Sequence, residues 1–314
     1  MFLKKLSLSG FRGLEDKIFD FGSVNNLVGP IGSGKTSLLE SVYMLYTGTS
    51  FITKNIDLVL KNSSKELLIQ GVNQKTFDDI GQNKIKVIYR NQKKECFLDE
   101  KKVTQGHLFL KHPICLIDAY ANRIVSGTPD NRRKIIDRAM FHVEQDYLLT
   151  YKKYNKALKQ RNRALKEGQR WQEIEVWNKE LSVYGESLTK KRGEHVEATK
   201  QCFYDITKSF LGKGCSIEFK KGWQEKTLML ELEKNREKDL AMKRTTAGSQ
   251  RDDFSLYLGD KQAQEHASHG QEKLVSLAYL FAQKNHIEKH INKKTLVLFD
   301  ETDSNLDQAA SAVV

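Results

Sequence analysis

Gly29-Pro30-Ile31-Gly32-Ser33-Gly34-Lys35-Thr36 is the stretch on which the fold turns. It fits G-x-x-x-x-G-K-T, a loop whose glycines let successive backbone N–H groups curl around a polyphosphate. Upstream, Val24 to Val28 reads as a short strand leading into Gly29. Downstream, Leu38, Leu39, Val42 and Leu45 recur at helical spacing, so a helix starts at the loop and turns its positive end toward the same anion. Strand, loop and helix in that order predict a nucleoside-triphosphate site made by Gly29, Gly32, Ser33, Gly34, Lys35, Thr36 and Ser37. Lys35 would neutralise the β- and γ-phosphates, and the Thr36 hydroxyl would ligate Mg²⁺.

A second stretch complements the first. Thr295-Leu296-Val297-Leu298-Phe299-Asp300-Glu301 is an apolar run that ends in two carboxylates. The run suits a buried parallel strand, and the acids emerge at its C-terminal end, where ligands bind in open α/β sheets. Asp300 would hold Mg²⁺, directly or through water, and Glu301 would polarise the attacking water. Lys35, Asp300 and Glu301 are therefore the expected catalytic residues.

The rest of the chain bounds the class. Its 314 residues suffice for one large domain or two lobes. Hydrophobic content of 39% and charged content of 29% argue against a disordered chain. No apolar run approaches the ~18 residues that span a bilayer. Met1 to Gly10 alternates polar and apolar residues, which reads as a strand and not as a secretory leader. Cys96, Cys115, Cys202 and Cys215 lie far apart, which suits a reducing cytoplasm and neither disulfides nor a zinc site. The net charge is +12, and residues 151–250 carry 23 basic against 14 acidic side chains. Charge alone fits lysine enrichment for solubility as well as an anionic partner, nucleic acid first among them, and its concentration in one third of the chain favours the partner.

Weaker strand signals follow the loop at Glu66–Gly71, Lys84–Arg90 and Pro113–Asp118. The turn Ser126-Gly127-Thr128-Pro129 then opens a helical region from Asp130 to about Leu211. Tyr147, Tyr151, Tyr154, Leu158 and Leu165 step at helical intervals, as do Ile174, Trp177, Leu181, Tyr184 and Leu188. Lys166 to Arg170 between them reads as a reversal, which makes a helical hairpin with a coiled-coil-like seam. Gly185 and Gly193 are expected to bend or interrupt its second arm. A further helix is expected over Lys226–Met242, then a polar link at Thr245–Ser249, a strand at Phe254–Leu258 and a helix from near Ser268.

Ser268-His269-Gly270-Gln271 opens that last helix shortly before the acidic strand. A helix N-terminus is again an anion site, although S-H-G-Q alone could be an ordinary cap. In its order along the chain it resembles the signature motif of ABC-type ATPases. That resemblance implies that Ser268, Gly270 and Gln271 touch the γ-phosphate held by another subunit. Ser304-Asn305-Leu306-Asp307 likewise resembles the D-loop, which places Asp307 at a dimer interface. Phe11-Arg12-Gly13 resembles the F-R-x element of the RecF, SMC and Rad50 families, in which the arginine reaches the nucleotide.

Several segments are similar to the RecF family itself. They are Glu40 to Tyr43 with Tyr46 to Phe51, Gly127-Thr128-Pro129 with Arg132, Arg133 and Asp137, and Tyr154 with Leu158, Gln160, Arg161 and Asn162. Gly248-Ser249-Gln250-Arg251-Asp252-Asp253 adds a further match with two substitutions, and Ile52 stands where that family usually has arginine. Only 231 residues separate Thr36 from Ser268, too few for the long coiled coils of SMC and Rad50 proteins.

The resemblance implies an α/β ABC-type ATPase head with a P-loop nucleotide lobe and a largely helical second lobe carrying a short hairpin. The expected lobes are 1–125, completed by a short 295–314, and 126–294. It implies an ATP-driven homodimer closing on double-stranded or gapped DNA, a RecR-type mediator as partner and help in recombinase loading.

The DNA face is expected on the first hairpin arm. Lys152, Lys153, Lys156, Lys159, Arg161, Arg163 and Lys166 lie between Tyr147 and Lys166 with no acid among them. Taken singly, each reads as part of a solvated helix face with the tyrosines in the seam. Together they read as a backbone-directed DNA contact. Arg251 is open between a turn residue and a nucleotide-responsive one. A different class, a nucleotide-sensing adaptor with little turnover and no DNA contact, also fits the motifs.

Overall fold

The computed structural model describes residues 2–62, 64–74, 82–118, 124–144 and 146–300. The chain divides into two units. Among the described residues the first takes 2–118 with 292–300, and the second takes 124–291.

The first unit is built on an antiparallel sheet. Strands β1 (Phe2–Ser9) and β2 (Lys17–Asp20) precede the phosphate loop, and helix α1 (Lys35–Thr47) follows it. Strands β3 (Glu66–Gln74), β4 (Gln82–Arg90), β5 (Lys93–Leu98) and β6 (Lys101–Val103) continue the sheet in the order β2-β1-β3-β4-β5-β6. Alternation drives the pleat: Leu6 and Leu8 of β1, Leu67 and Ile69 of β3, and Ile85 and Val87 of β4 are all buried. They form one core with Val42, Met44 and Leu45 of α1. Helix α2 (Gln105–Lys111), capped by Thr104, leads into β7 (Ile114–Ile117).

The second unit begins with α3 (Pro129–Val143), where Thr128 caps the helix and Pro129 occupies its first turn. Helices α4 (Tyr147–Lys166) and α5 (Trp171–Leu211) then form the hairpin. The buried residues Ile174, Asn178, Leu181, Gly185, Leu188, Arg192, His195 and Thr199 follow alternating steps of four and three, the spacing of a packed seam. Gly185 and Gly193 do not interrupt α5, contrary to the sequence expectation. A Cβ at Gly185 would lie 2.6 Å from Leu228 and 2.9 Å from the Tyr154 ring. The glycine there admits neighbouring side chains to the helix backbone.

Strand β8 (Cys215–Lys220) comes next, then α6 (Leu228–Lys234) and α7 (Arg236–Met242). One helix was expected over these last two. Asn235 divides them, its side chain donating back to the Glu231 carbonyl and carboxylate. Strands β9 (Asp253–Leu258) and β10 (Lys261–Gln262) complete the small sheet β10-β9-β8. After α8 (Ala263–His266) and α9 (His269–Ile291), the chain returns to the first unit.

There β11 (Leu296–Phe299) pairs in parallel with β7, Leu296 opposite Ile114 and Phe299 opposite Ile117. Leu298 is buried and its strand neighbours are half-buried, because this sheet has two strands among the described residues. No helix among the described residues is long and apolar enough to cross a membrane.

Candidate functional site

The phosphate loop runs from Gly29 into α1. Gly32 and Gly34 have φ of 82° and 89°, the left-handed region that side chains avoid. Those two turns curl the loop so that Lys35 folds back over it. Its Nζ donates to the carbonyls of Gly29 at 2.7 Å and Pro30 at 2.9 Å. Gly29 to Ser33 are exposed, and Gly34 to Ser37 are half-buried at the start of α1.

Val24 to Val28 is not a strand. Gly22 N–H donates to the Asn25 side chain, which donates back to the Gly22 carbonyl, and this local turn competes with a ladder. Leu27 packs on the core while Val24 and Val28 are 89% and 87% exposed.

The end of β11 reaches the loop from far along the sequence. The Asp300 N–H donates to the Ile117 carbonyl at 2.8 Å, one step beyond the β7 pairing. This holds the Asp300 carboxylate where the Thr36 hydroxyl donates to it at 3.0 Å. Two oxygen donors side by side, one charged, suit a small hard cation such as Mg²⁺. Glu301 and Asp307 lie outside the described residues.

Arg12 belongs to the same unit, with a backbone φ of 44°. Its guanidinium grips Glu40 of α1 by two hydrogen bonds, Nη2 to Oε1 at 2.8 Å and Nε to Oε2. Glu40 is fully buried and also accepts from the Ser50 hydroxyl. The hydrogen bond to Glu40 raises the Arg12 pKa, so its charge is fixed. About a quarter of the Arg12 side chain is exposed, 23%. Glu40 stands in the segment that resembles the RecF family, and its pairing with Arg12 is signalled there only by an acid set among the apolar residues of α1.

In the second unit, Ser268 and Gln271 close a reciprocal cap at the start of α9. The Gln271 N–H donates to the Ser268 hydroxyl at 3.3 Å, and the Ser268 N–H donates to the Gln271 side chain at 3.0 Å. Gly270 has open space where a Cβ would stand.

The cations of α4 separate into two faces. Lys152, Lys156, Lys159, Arg163 and Lys166 are exposed, and they follow steps of four, three, four and three residues. They therefore form one stripe about 21 Å long. Lys153 lies beside it, over the Tyr184 ring at 5.4 Å. Arg163 pairs with Glu167 within the stripe.

Arg161 is a correction to the expected DNA contacts. It shares its face with Tyr154, Ala157 and Leu165, and it is fully buried. It donates to Asp239 at 2.7 Å, to Thr245 at 2.8 Å and to Asn178 at 2.8 Å. Tyr154 is likewise interior, bonded to Gln250.

Other sequence motifs meet in one buried array. Arg132 grips Asp253 by two hydrogen bonds of 2.7 and 2.9 Å. Arg133 donates to the Asp252 carbonyl at 2.8 Å. Arg192 binds Asp137 at 2.9 Å, Asp252 at 2.8 Å and the Ser249 carbonyl at 2.6 Å. Burial alone would depress the Arg192 pKa, but Tyr147, Asp137 and Asp252 outweigh it and hold the guanidinium charged. The segment Ser249–Arg251 is a short 3-10 turn before β9, with Arg251 exposed. Arg192 and Asp239 had no sequence signal, because their partners lie 55 and 78 positions away.

Across residues 2–314 the chain matches the RecF/RecN/SMC N-terminal domain family. The DNA replication and repair protein RecF of Pseudoalteromonas translucida (strain TAC 125) is 31% identical over 98% of this chain and 86% of its own length. The corresponding protein of Coxiella burnetii (strain RSA 493 / Nine Mile phase I) is 33% identical over the same shares. A solved structure of the recombination mediator protein RecF with ATP, of the RecFOR pathway, superposes with a TM-score of 0.89. It is 23% identical and covers 99% of this chain and 87% of that one. The fold is thus that of an ABC-type ATPase head, a P-loop lobe with a largely helical lobe carrying a hairpin. The chain belongs to the RecF family.

Proposed function

We propose that this chain is an ATP-dependent DNA-binding protein of recombinational repair and replication, an ABC-type ATPase. The observation that carries the reading is the Thr36 hydroxyl set 3.0 Å from the Asp300 carboxylate beside the curled phosphate loop. Gly29 to Gly34 would cradle the polyphosphate with backbone N–H groups, and Ser33 and Ser37 would add hydroxyls. Lys35 would exchange its two carbonyl partners for phosphate oxygens. Arg12, oriented by Glu40, would meet the nucleotide from the same unit. Thr36 and Asp300 would hold Mg²⁺, which when bound neutralises phosphate charge. Glu301, next in sequence, would take the proton of the attacking water.

ATP binding would join two copies, with Ser268, Gly270 and Gln271 of one chain completing the other's γ-phosphate site and Asp307 at the interface. The stripe Lys152, Lys156, Lys159, Arg163 and Lys166, with Lys153 beside it, would contact the backbone of double-stranded or gapped DNA. Family membership and the relatives' names support the repair role and a RecR-type mediator as partner. Light scattering of the Glu301→Gln variant with Mg·ATP, with and without duplex DNA, tests this reading. The expected result is an ATP-dependent dimer that DNA stabilises. A persistent monomer that still binds ATP would replace it with the nucleotide-sensing adaptor.

A further inference from the structure

We propose that the α7 turn, through Arg236, Lys243 and Arg244, is a second phosphate-contacting element for duplex DNA beside the α4 stripe. The proposal rests on reading α4 as a DNA contact. Its starting point is the segment Arg236-Glu237-Lys238-Asp239-Leu240-Ala241-Met242-Lys243-Arg244. By composition it is only modestly basic. Folding changes that, because Asp239 is withdrawn completely from the surface to meet Arg161. The exposed residues of the segment then include Arg236, Lys238, Lys243 and Arg244 against the single acid Glu237.

None of these four cations makes an ion pair among the described residues. Elsewhere in this unit Lys134, Lys190, Lys200 and Lys234 pair with acids. Exposed cations without an acid partner, as in this turn, are ones that can neutralise a polyanion with release of its counterions.

The segment is locked to α4 on a flank of the stripe. The Thr245 N–H and hydroxyl both donate to the Asn162 side chain, at 2.7 and 2.8 Å. Asn162 precedes Arg163 of the stripe, and Arg244 precedes Thr245, so the two cationic elements adjoin. Asp239 ties the turn from inside, accepting from the Thr246 N–H at 2.8 Å and the Thr246 hydroxyl at 2.6 Å. Arg236 lies over the Trp171 ring at 4.9 Å, and Arg161 lies against the same ring at 5.7 Å. These contacts fix Arg236 beside the hairpin turn that follows Lys166. Two cationic elements held in fixed relation suit a rigid duplex backbone better than a flexible acidic peptide.

Lys243 supplies an independent sign. It ends α7 in the left-handed conformation, φ 51° and ψ 33°, while the Arg244 N–H reaches the Asp239 carbonyl. Glycine is the relaxed residue at such a helix end, and a lysine there carries strain. A lysine held at that position projects a charge outward that glycine would lack.

The test is duplex-DNA binding by fluorescence anisotropy over a salt series with Mg·ATP. The Arg236→Ala/Lys243→Ala/Arg244→Ala variant should lower the slope of log K against log salt by about 2–3. Its melting temperature and nucleotide affinity should match the parent. An unchanged slope overturns the proposal and leaves the turn to another partner. A Lys152→Ala/Lys156→Ala/Lys159→Ala variant tests α4 separately. If that variant keeps the parental slope, the α4 reading itself has failed; if it lowers the slope and the α7 variant does not, the α7 proposal alone is overturned. Lys243→Gly relieves the backbone, so its melting temperature should hold or rise while the slope falls by about 1. A lower melting temperature with the parental slope would show that Lys243 serves the turn alone.

Discussion

Thr36 donates its hydroxyl proton to the Asp300 carboxylate across 3.0 Å, although 264 positions separate them in sequence. Two elements make the contact. The glycine turns at positions 32 and 34 set the start of α1, and the β7–β11 pairing sets the end of β11. Oxygen donors so placed matter to a hard cation by number and charge. Thr36→Ser keeps the donor and should keep the Mg²⁺ requirement of ATP turnover. Thr36→Ala and Asp300→Asn should each raise the Mg²⁺ needed for half-maximal turnover by roughly 10- to 100-fold. Titration of turnover with Mg²⁺ at saturating ATP decides it, and parental behaviour of Thr36→Ala would remove the residue from the metal site.

Two cations on the same helix should behave oppositely. Lys159 is exposed on the stripe, whereas Arg161 is wholly buried against Asp239, Asn178 and Thr245. Removing one member of a buried pair strands the other charge. Arg161→Leu should therefore lose about 3–5 kcal/mol of stability. Lys159→Ala should change stability by less than about 0.5 kcal/mol and weaken DNA binding in a salt-dependent way. Chemical denaturation of the two variants makes the comparison. Equal stabilities would contradict the interior placement of Arg161.

Gly185 offers a packing test in which propensity and space disagree. Alanine is the better helix former by roughly 1 kcal/mol. The added methyl would meet Leu228 at 2.6 Å and the Tyr154 ring at 2.9 Å. Leu228 can shift at some cost, but Tyr154 is pinned through its hydroxyl to Gln250. Overpacking at such a site typically costs about 1–3 kcal/mol. The Gly185→Ala variant should thus be less stable than the parent by a melting assay. A stabilised variant would mean that the hairpin has room to relax.

What the sequence disclosed followed the range of each signal. The phosphate loop, α1 and β11 are contiguous patterns, and they were legible from spacing alone. Arg161 was misplaced because charge was counted without its helical angle; stepping from Tyr154 or Ala157 would have put it inside. A bend or interruption was expected at Gly185 because sequence spacing does not reveal the side chains that fill its empty side. Asp252 and Asp253 stand in a segment with a family resemblance, yet their partners Arg192 and Arg132 lie 60 and 121 positions away. Val24 to Val28 carries strand-forming residues, but the Gly22–Asn25 turn and the exposure of both valines leave it unpaired as a strand.

His195 makes stability depend on pH. It is buried in the α5 seam, both ring nitrogens lack hydrogen-bond partners, and the His286 ring of α9 faces it at 5.1 Å. Burial first, then His286, brings its pKa down from 6.5 to about 3. His286 is itself held low, by burial and then by its neighbours His290 and Lys289. A base depressed in the folded state binds protons more readily when unfolded. Its contribution is therefore fully present above the unfolded value and declines as pH falls from 6.5 toward about 3. Between pH 7 and pH 5 the loss from this group should be about 2 kcal/mol. His195→Leu removes the titration, so its stability should fall by about 2 kcal/mol less than the parent's over the same interval. Urea unfolding at the two pH values measures both slopes. Parallel losses in parent and variant would mean that His195 already carries its proton, or a partner for it, in the folded protein.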